Sequence, residues 1–297
     1  MGKKLNSAFL LIITVLTAMA LLVLAFVIFF IVKEALPVLE TAGLSELLTG
    51  SRWMPVDYGT SGGMAFGLFN FIAGSVAVSF LAIVISSVVG LGAAMYLSCA
   101  AGERTRAFVY PVIDLLAGIP SVVYGFVGIV VMLPLFLKAG VHTGSCVLAA
   151  GILLSAMLLP FLVSSCSDTM LRAKECYMPS AEAMGISKWY AMATIVLPAS
   201  WRNILFSMIL AVGRAMGETM AVMMVIGNAN LFPNILGKGE TIASVIALEM
   251  GTAVVGSAHY HALYMAGLIL MIIVFFINMG IMLLRKHLLN RGGAGNA

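Results

Sequence analysis

Arg214 and Glu218 are four residues apart in 211–220, AVGRAMGETM, inside a long apolar run. Read as continuous helix, that spacing puts both side chains on one face, a turn apart. Counted from Asn203, Arg214 lies about 16 Å into the run, near the middle of a hydrocarbon core about 30 Å thick. A guanidinium there costs at least ~2.5 kcal/mol, so it must face protein or water. Two kinds of chemistry fit. The pair is a structural lock between this helix and a neighbour. Or the guanidinium, a planar fork of donors that stays charged in a low dielectric, receives an oxyanion. Glu218 then holds Arg214 when the site is empty, or donates to the anion when protonated. The second reading is preferred, because ionisable residues at the midplane mark pathways. Gly213 and Gly217 form a Gly-x-x-x-Gly pair that admits a second backbone.

Asp114 is a further candidate. It lies one turn before Gly118-Ile119-Pro120, which interrupts another apolar run. Proline disfavours helix at the residue before it and removes a hydrogen bond. A broken helix at membrane depth is either buried in protein or lines a wet cavity. Asp114 is therefore a pathway residue, or an acceptor for backbone donors that the break sets free.

The elements that hold these residues follow from composition. The chain has 297 residues, 62% of them hydrophobic and 9% charged, with a mean hydropathy of +1.11. Soluble domains carry about 25% charged residues. A core of this size has too little polar surface to cover it in water. The chain is thus an all-α integral membrane protein, with six apolar runs at 8–32, 70–98, 107–137, 147–165, 203–227 and 262–284. The first run is 25 residues long, beyond the ~7–15 of a signal peptide, and is kept as a span. The second has a face of small residues, Ser75, Ser79, Ser86, Ser87, Gly90, Gly92 and Ala93, suited to close helix contact. The interval 33–67 contains Asp57, a short helix near 44–48, and the stretch 49–56, which is a structured cap or a loop. The interval 228–260 holds a short surface helix at about 241–250. The division expected is an N-terminal helix with its outer loop at 1–67, a five-helix core at 68–290 and a tail at 291–297.

Six spans put both termini on one side. That side carries eleven basic residues: Lys3, Lys4, Arg104, Arg106, Arg172, Lys174, Lys188, Arg202, Arg285, Lys286 and Arg291. The other carries four: Lys33, Arg52, Lys138 and Lys238. The positive-inside rule places both termini in the cytoplasm. It also explains the net charge of +4 without a nucleic-acid partner. Cys99, Cys146, Cys166 and Cys176 show no metal or redox spacing and read as structural. No cofactor is expected.

Between the fourth and fifth spans lies 179–198, PSAEAMGISKWYAMATIVLP, within the cytoplasmic interval 167–202. Pro179 suits a first helical position. The nine residues after Gly185 read as a short helix outside the bilayer, stopped by Leu197-Pro198. Such a helix is a lever joined to the next span, or an amphipathic loop helix with no partner.

The Gly185, nine residues, Ile195-Val196-Leu197-Pro198 pattern resembles the coupling loop of ABC-importer permeases. That family has a Glu six before the Gly, where Pro179 stands here; Glu182 is three residues later. Residues 115–125 (LLAGIPSVVYG), residues 213–222 (GRAMGETMAV) and Arg52-Trp53-x-Pro55 resemble the permeases of phosphate ABC importers, more the PstC than the PstA type. The likeness covers roughly residues 45–285. It implies an ABC-importer permease core with a cytoplasmic coupling helix, in the plasma membrane of a bacterium or archaeon. It implies Arg214 and Glu218 as charged residues of phosphate passage, and Pro179, Glu182, Gly185, Ile195, Leu197 and Pro198 as the ATPase-coupling element. The implied partners are a PstA-like second permease, an ABC ATPase dimer, an extracytoplasmic phosphate-binding protein meeting 33–67 and 228–260, and membrane lipid. The chain has no Gly-x4-Gly-Lys-Ser/Thr loop, so it is expected to be a transport subunit and not an enzyme. The alternatives are an ABC permease for sulfate, molybdate or phosphonate, and an ion-coupled secondary anion transporter.

Overall fold

The computed structural model describes residues 2–56 and 63–292. Asp57 and the expected tail beyond Gly292 lie outside them. The first element, α1 (Gly2–Ala35), is one long apolar helix, and its contacts with the body run along the last helix of the chain. After α2 (Val38–Thr41) and α3 (Leu44–Thr49), strands β1 (Trp53–Met54) and β2 (Ala65–Phe66) pair antiparallel, with Trp53 opposite Phe66. The stretch 49–56 is thus a structured cap.

Helix α4 (Phe69–Met95) runs into a wide π turn at Tyr96–Ala100. Its predicted small-residue face is largely confirmed. Ser75, Ser79, Ser86 and Gly90 are buried, and α8 (Val147–Ala183) packs along that side. Between them come α5 (Glu103–Ala117), α6 (Ser121–Val127), a π turn at Gly128–Met132 and α7 (Leu133–Lys138). The chain continues with α9 (Lys188–Ala191), a π turn at Met192–Val196, α10 (Leu197–Met216), α11 (Met220–Ile226), α12 (Ile242–Glu249) and α13 (Ala258–Gly292).

Among the described residues, six helical stretches are long and apolar enough to cross a membrane. Their bounds are Phe9–Thr41, Phe69–Ala100, Ser121–Lys138, Val147–Ala183, Lys188–Met216 and Ala258–Gly280. The sixfold reading holds, and four details change. First, α8 does not end near residue 165. It runs unbroken past Pro160 and Pro179, so Pro179 sits inside it, four residues from its end, and does not open a helix. Second, the interval 167–202 is helix, turn, helix, not a loop with a free helix in it. Third, Pro198 stops nothing. It falls in the first turn of α10, where a missing N–H costs least, and the π turn just ahead makes room for its ring. Fourth, α12 lies only half on the surface, with Ala247 and Leu248 exposed. Its first turn, Ile242 to Val245, is buried, and Ile242 N–H donates to Ser75 Oγ at 3.0 Å.

Three apolar clusters hold the body. The central one joins α4, α8, α10 and α11 through Ala82, Leu154, Leu158, Ala211 and Ile226. A second, around Leu47, Phe66, Phe71, Val245 and Leu263, forms the end that carries 33–67 and 228–260. A third, around Cys166, Met170, Ala181, Met192 and Ile204, forms the opposite end.

Candidate functional site

The fifth span is broken, and the break decides what Arg214 and Glu218 are. Arg214 is in the last turn of α10, which ends at Gly217. There the N–H groups of Gly217 and Glu218 turn back to the carbonyls of Arg214 and Ala215, at 3.2 and 3.3 Å. Helix resumes only at Met220. The expected i, i+4 pairing on one face therefore fails. Glu218 is off the helix, and its Oε1 accepts from the Ala221 N–H at 3.4 Å, in the first turn of α11. No ion pair joins it to Arg214 among the described residues. Each charge still suits its place: a cation at a helix C-terminus and an anion at an N-terminus, both favoured by the helix dipole. Arg214 is exposed on the isolated chain, and Glu218 is half-buried.

The third span breaks in the same manner. After α5 ends at Ala117, the Gly118 N–H closes on the Asp114 carbonyl at 3.1 Å. Pro120 is extended, with ψ 141°, and Ser121 starts α6. Tyr124 hydroxyl donates to the Leu116 carbonyl at 2.9 Å, across the gap. The Asp114 carboxylate is exposed and makes no ion pair among the described residues.

Packing brings the two breaks together. A Cβ on Gly128 of the α6 line would stand 2.6 Å from Val225 and 3.0 Å from Leu153, so only glycine lets α11 and α8 come so near. Gly125 likewise lies against Ala221 and Met224. The pairs Gly125–Ala221 and Gly128–Val225 advance together along the chain. Helices α6 and α11 thus run parallel, with the start of α11 set two to three residues, about 4 Å, further along than the start of α6. Asp114 and Arg214 lie in the last turns of the two preceding helices, seven and six residues before those starts. Gly- or Pro-interrupted spans with charged residues beside the interruptions are the usual construction of a midplane binding site.

At the end opposite the β1–β2 cap, Gly185 closes α8. Its φ is +69°, a left-handed conformation that a side chain disfavours. The Ile186 N–H bonds the Ala181 carbonyl and the Gly185 N–H bonds the Glu182 carbonyl, both at 3.0 Å. That pair of bonds is the Schellman helix stop. Beyond it Ala191, Met192, Ile195, Val196 and Leu197 pack on Met178 and Ala181. Glu182, Pro179 and Pro198 are exposed. So are Tyr177, Met184, Trp189 and Tyr190, a rim of large side chains that sequence reading passed over. The signal available was an aromatic pair beside Lys188 in a polar interval.

The β1–β2 end also holds a polar cluster not singled out from sequence. Trp53 Nε1 donates to Glu249 Oε2 at 2.9 Å, and His259 Nε2 lies 2.7 Å from the same oxygen. His261 Nδ1 is 2.7 Å from the Glu34 carbonyl. Glu240 is 7% exposed, and burial, then the charge of Glu249, push its carboxyl up to about 7. The four cysteines are free, and no group of three or more His, Cys, Asp or Glu side chains suited to a metal occurs among the described residues.

Comparison with known proteins agrees with this geometry. The inward-facing MetNI methionine ABC transporter has a chain that superposes with a TM-score of 0.56, over 72% of this chain and 92% of that one, at 16% identity. That likeness is one of fold. The Bacillus subtilis protein described as probable ABC transporter permease protein YqgH is 34% identical over 77% of this chain and 74% of its own length. The phosphate transport system permease protein PstC of Xylella fastidiosa (strain Temecula1) is 33% identical over 84% of this chain and 83% of its own. The probable PstC of Methanocaldococcus jannaschii is 30% identical over 85% of each. Residues 86–291 match a protein-family model. The chain belongs to that family, the inner membrane components of binding-protein-dependent transport systems.

Proposed function

We propose that this chain is the PstC-like permease subunit of an ATP-driven phosphate importer, working in the plasma membrane with both termini in the cytoplasm. The observation that carries the reading is Arg214: an exposed guanidinium at the end of a broken span whose continuation, α11, packs against α6, the continuation of a second broken span that carries Asp114. A charge at that depth needs water or protein over it. A related second permease supplies the missing wall, and phosphate passes between the two chains, met by the guanidinium fork. Glu218 keeps the start of α11 in place beside the path. Asp114 balances the charge on the opposite helix.

The Gly185 turn, with Glu182 and the exposed rim of Tyr177, Met184, Trp189 and Tyr190, docks on an ABC ATPase dimer that hydrolyses ATP for the complex. The outer ends 33–67 and 228–260 meet an extracytoplasmic phosphate-binding protein. Lipid covers α1, whose described side chains are nearly all exposed. The eleven-to-four distribution of basic residues supports this orientation.

The test is phosphate uptake by the assembled complex carrying Arg214→Gln. Loss of uptake with intact assembly is expected; normal uptake overturns the assignment. Competition by sulfate, molybdate and phosphonate separates phosphate from the other oxyanions. Uptake without ATP would point to an ion-coupled carrier instead.

A further inference from the structure

A groove of about 470 Å³ opens between the halves of α8 and α10 nearest the Gly185 turn. On α8 its lining includes Ser165, Thr169, Arg172 and Cys176, spaced along one helical face. On α10 it includes Ser200 and Asn203. Ser165, at one end of that lining, shares a hydroxyl pair with Ser207 of α10 at 2.6 Å. Ser207 is seven residues from Arg214, about 10 Å along α10.

Two features of the groove are unexplained by packing. Ser200 is 1% exposed, lines the cavity, and its Oγ has no hydrogen-bond partner. A buried hydroxyl without a partner is destabilising, and native proteins seldom keep one unless something else satisfies it. Arg172 lines the groove, is exposed, and makes no ion pair among the described residues. A hydroxyl, the Asn203 amide and a guanidinium together suit a tetrahedral oxyanion. Asp168, one turn before Arg172, also lines the groove. Its negative charge keeps any anion weakly held. Sites on a conduction path need that balance, favourable enough to enter and weak enough to leave.

We propose that this groove is a second, weak subsite for a phosphate group, from which the transported anion departs after Arg214. The inference rests on the phosphate-import reading above. A phospholipid headgroup presents the same chemistry, and the test must tell the two apart.

Cys176 is a built-in reporter: it lines the groove and is exposed, while Cys99, Cys146 and Cys166 are buried. The complete transporter is placed in phosphatidylcholine nanodiscs, and alkylation of Cys176 by a neutral water-soluble maleimide is timed with and without inorganic phosphate at constant ionic strength. Phosphate should slow alkylation several-fold. The slowing should vanish in assembled Arg172→Gln and weaken in Ser200→Ala. A parallel series uses phosphatidylglycerol nanodiscs. Slowing by that lipid, with no effect of inorganic phosphate in either series, assigns the groove to headgroups and overturns the exit role. No slowing in either series, slowing unchanged in Arg172→Gln, or a Cys176 that never reacts overturns the site. Phosphate uptake is measured on the same wild-type preparation. Uptake without protection removes the subsite alone, whereas absence of uptake removes the import reading.

Discussion

The Tyr124 hydroxyl donates to the Leu116 carbonyl at 2.9 Å, tying the two halves of a broken span across Gly118-Ile119-Pro120. The Leu116 carbonyl also accepts the Ile119 N–H at 3.3 Å, so the hydroxyl is its second donor at the break. Tyr124→Phe should cost about 0.5–1.5 kcal/mol, the net worth of one hydrogen bond. The complex should assemble, melt a few degrees lower, and carry phosphate at a reduced rate. An unchanged melting temperature would show that water replaces the hydroxyl.

Arg214 and Glu218 do not pair, so their contributions to stability should add. Denaturation of Arg214→Gln, Glu218→Gln and the double variant tests this, with an expected coupling below about 0.5 kcal/mol. A coupling of several times that size would restore the ion pair that their spacing suggests.

Gly185 adopts φ +69° in open space. A side chain there meets no neighbour and yet pays for the left-handed backbone, about 1 kcal/mol for Ala. Gly185→Ala should loosen the end of α8, and Gly185→Asp should in addition reduce ATPase co-purification and coupled uptake. Gly185→Asn, which tolerates the conformation better, should lie between wild type and Ala. Equal behaviour of all three would detach the turn from coupling.

Glu240 offers a pH test. Its carboxyl titrates at about 7 in the fold, against 4.5 as the ordinary value. A raised carboxyl binds its proton more tightly folded than unfolded. The stability it contributes is whole below pH 4.5 and is lost as pH rises through 7, about 3 kcal/mol in all. Glu240→Gln keeps the neutral shape at every pH. It should leave melting near pH 4.5 unchanged and raise it at pH 8. Parallel wild-type and variant melting curves across that range would contradict the assignment.

The number of spans and the first break were legible because both rest on strong local signals: long apolar runs, and Gly118 with Pro120. The second break was not. In Gly213-Arg214-Ala215-Met216-Gly217-Glu218 nothing forbids helix, and its end at Gly217 is set by the packing of α11 against α6 and α8. The same limit misplaced the helix boundaries near Gly185. Pro179 and Pro198 look like punctuation in the sequence, but α8 runs through Pro179 and the π turn at Met192–Val196 lets helix pass Pro198. The Trp53, Glu249 and His259 cluster joins residues some two hundred positions apart, beyond the reach of any spacing rule.

Because helix passes Pro198, Lys188 and Arg214 belong to one rod about 39 Å long. A rocking of about 10° at its foot would swing the guanidinium by about 7 Å, more than the width of a phosphate ion. Gearing of that size needs no travelling signal and no intermediate parts; it is fixed by leverage, and shortening the rod would lower the stroke in proportion.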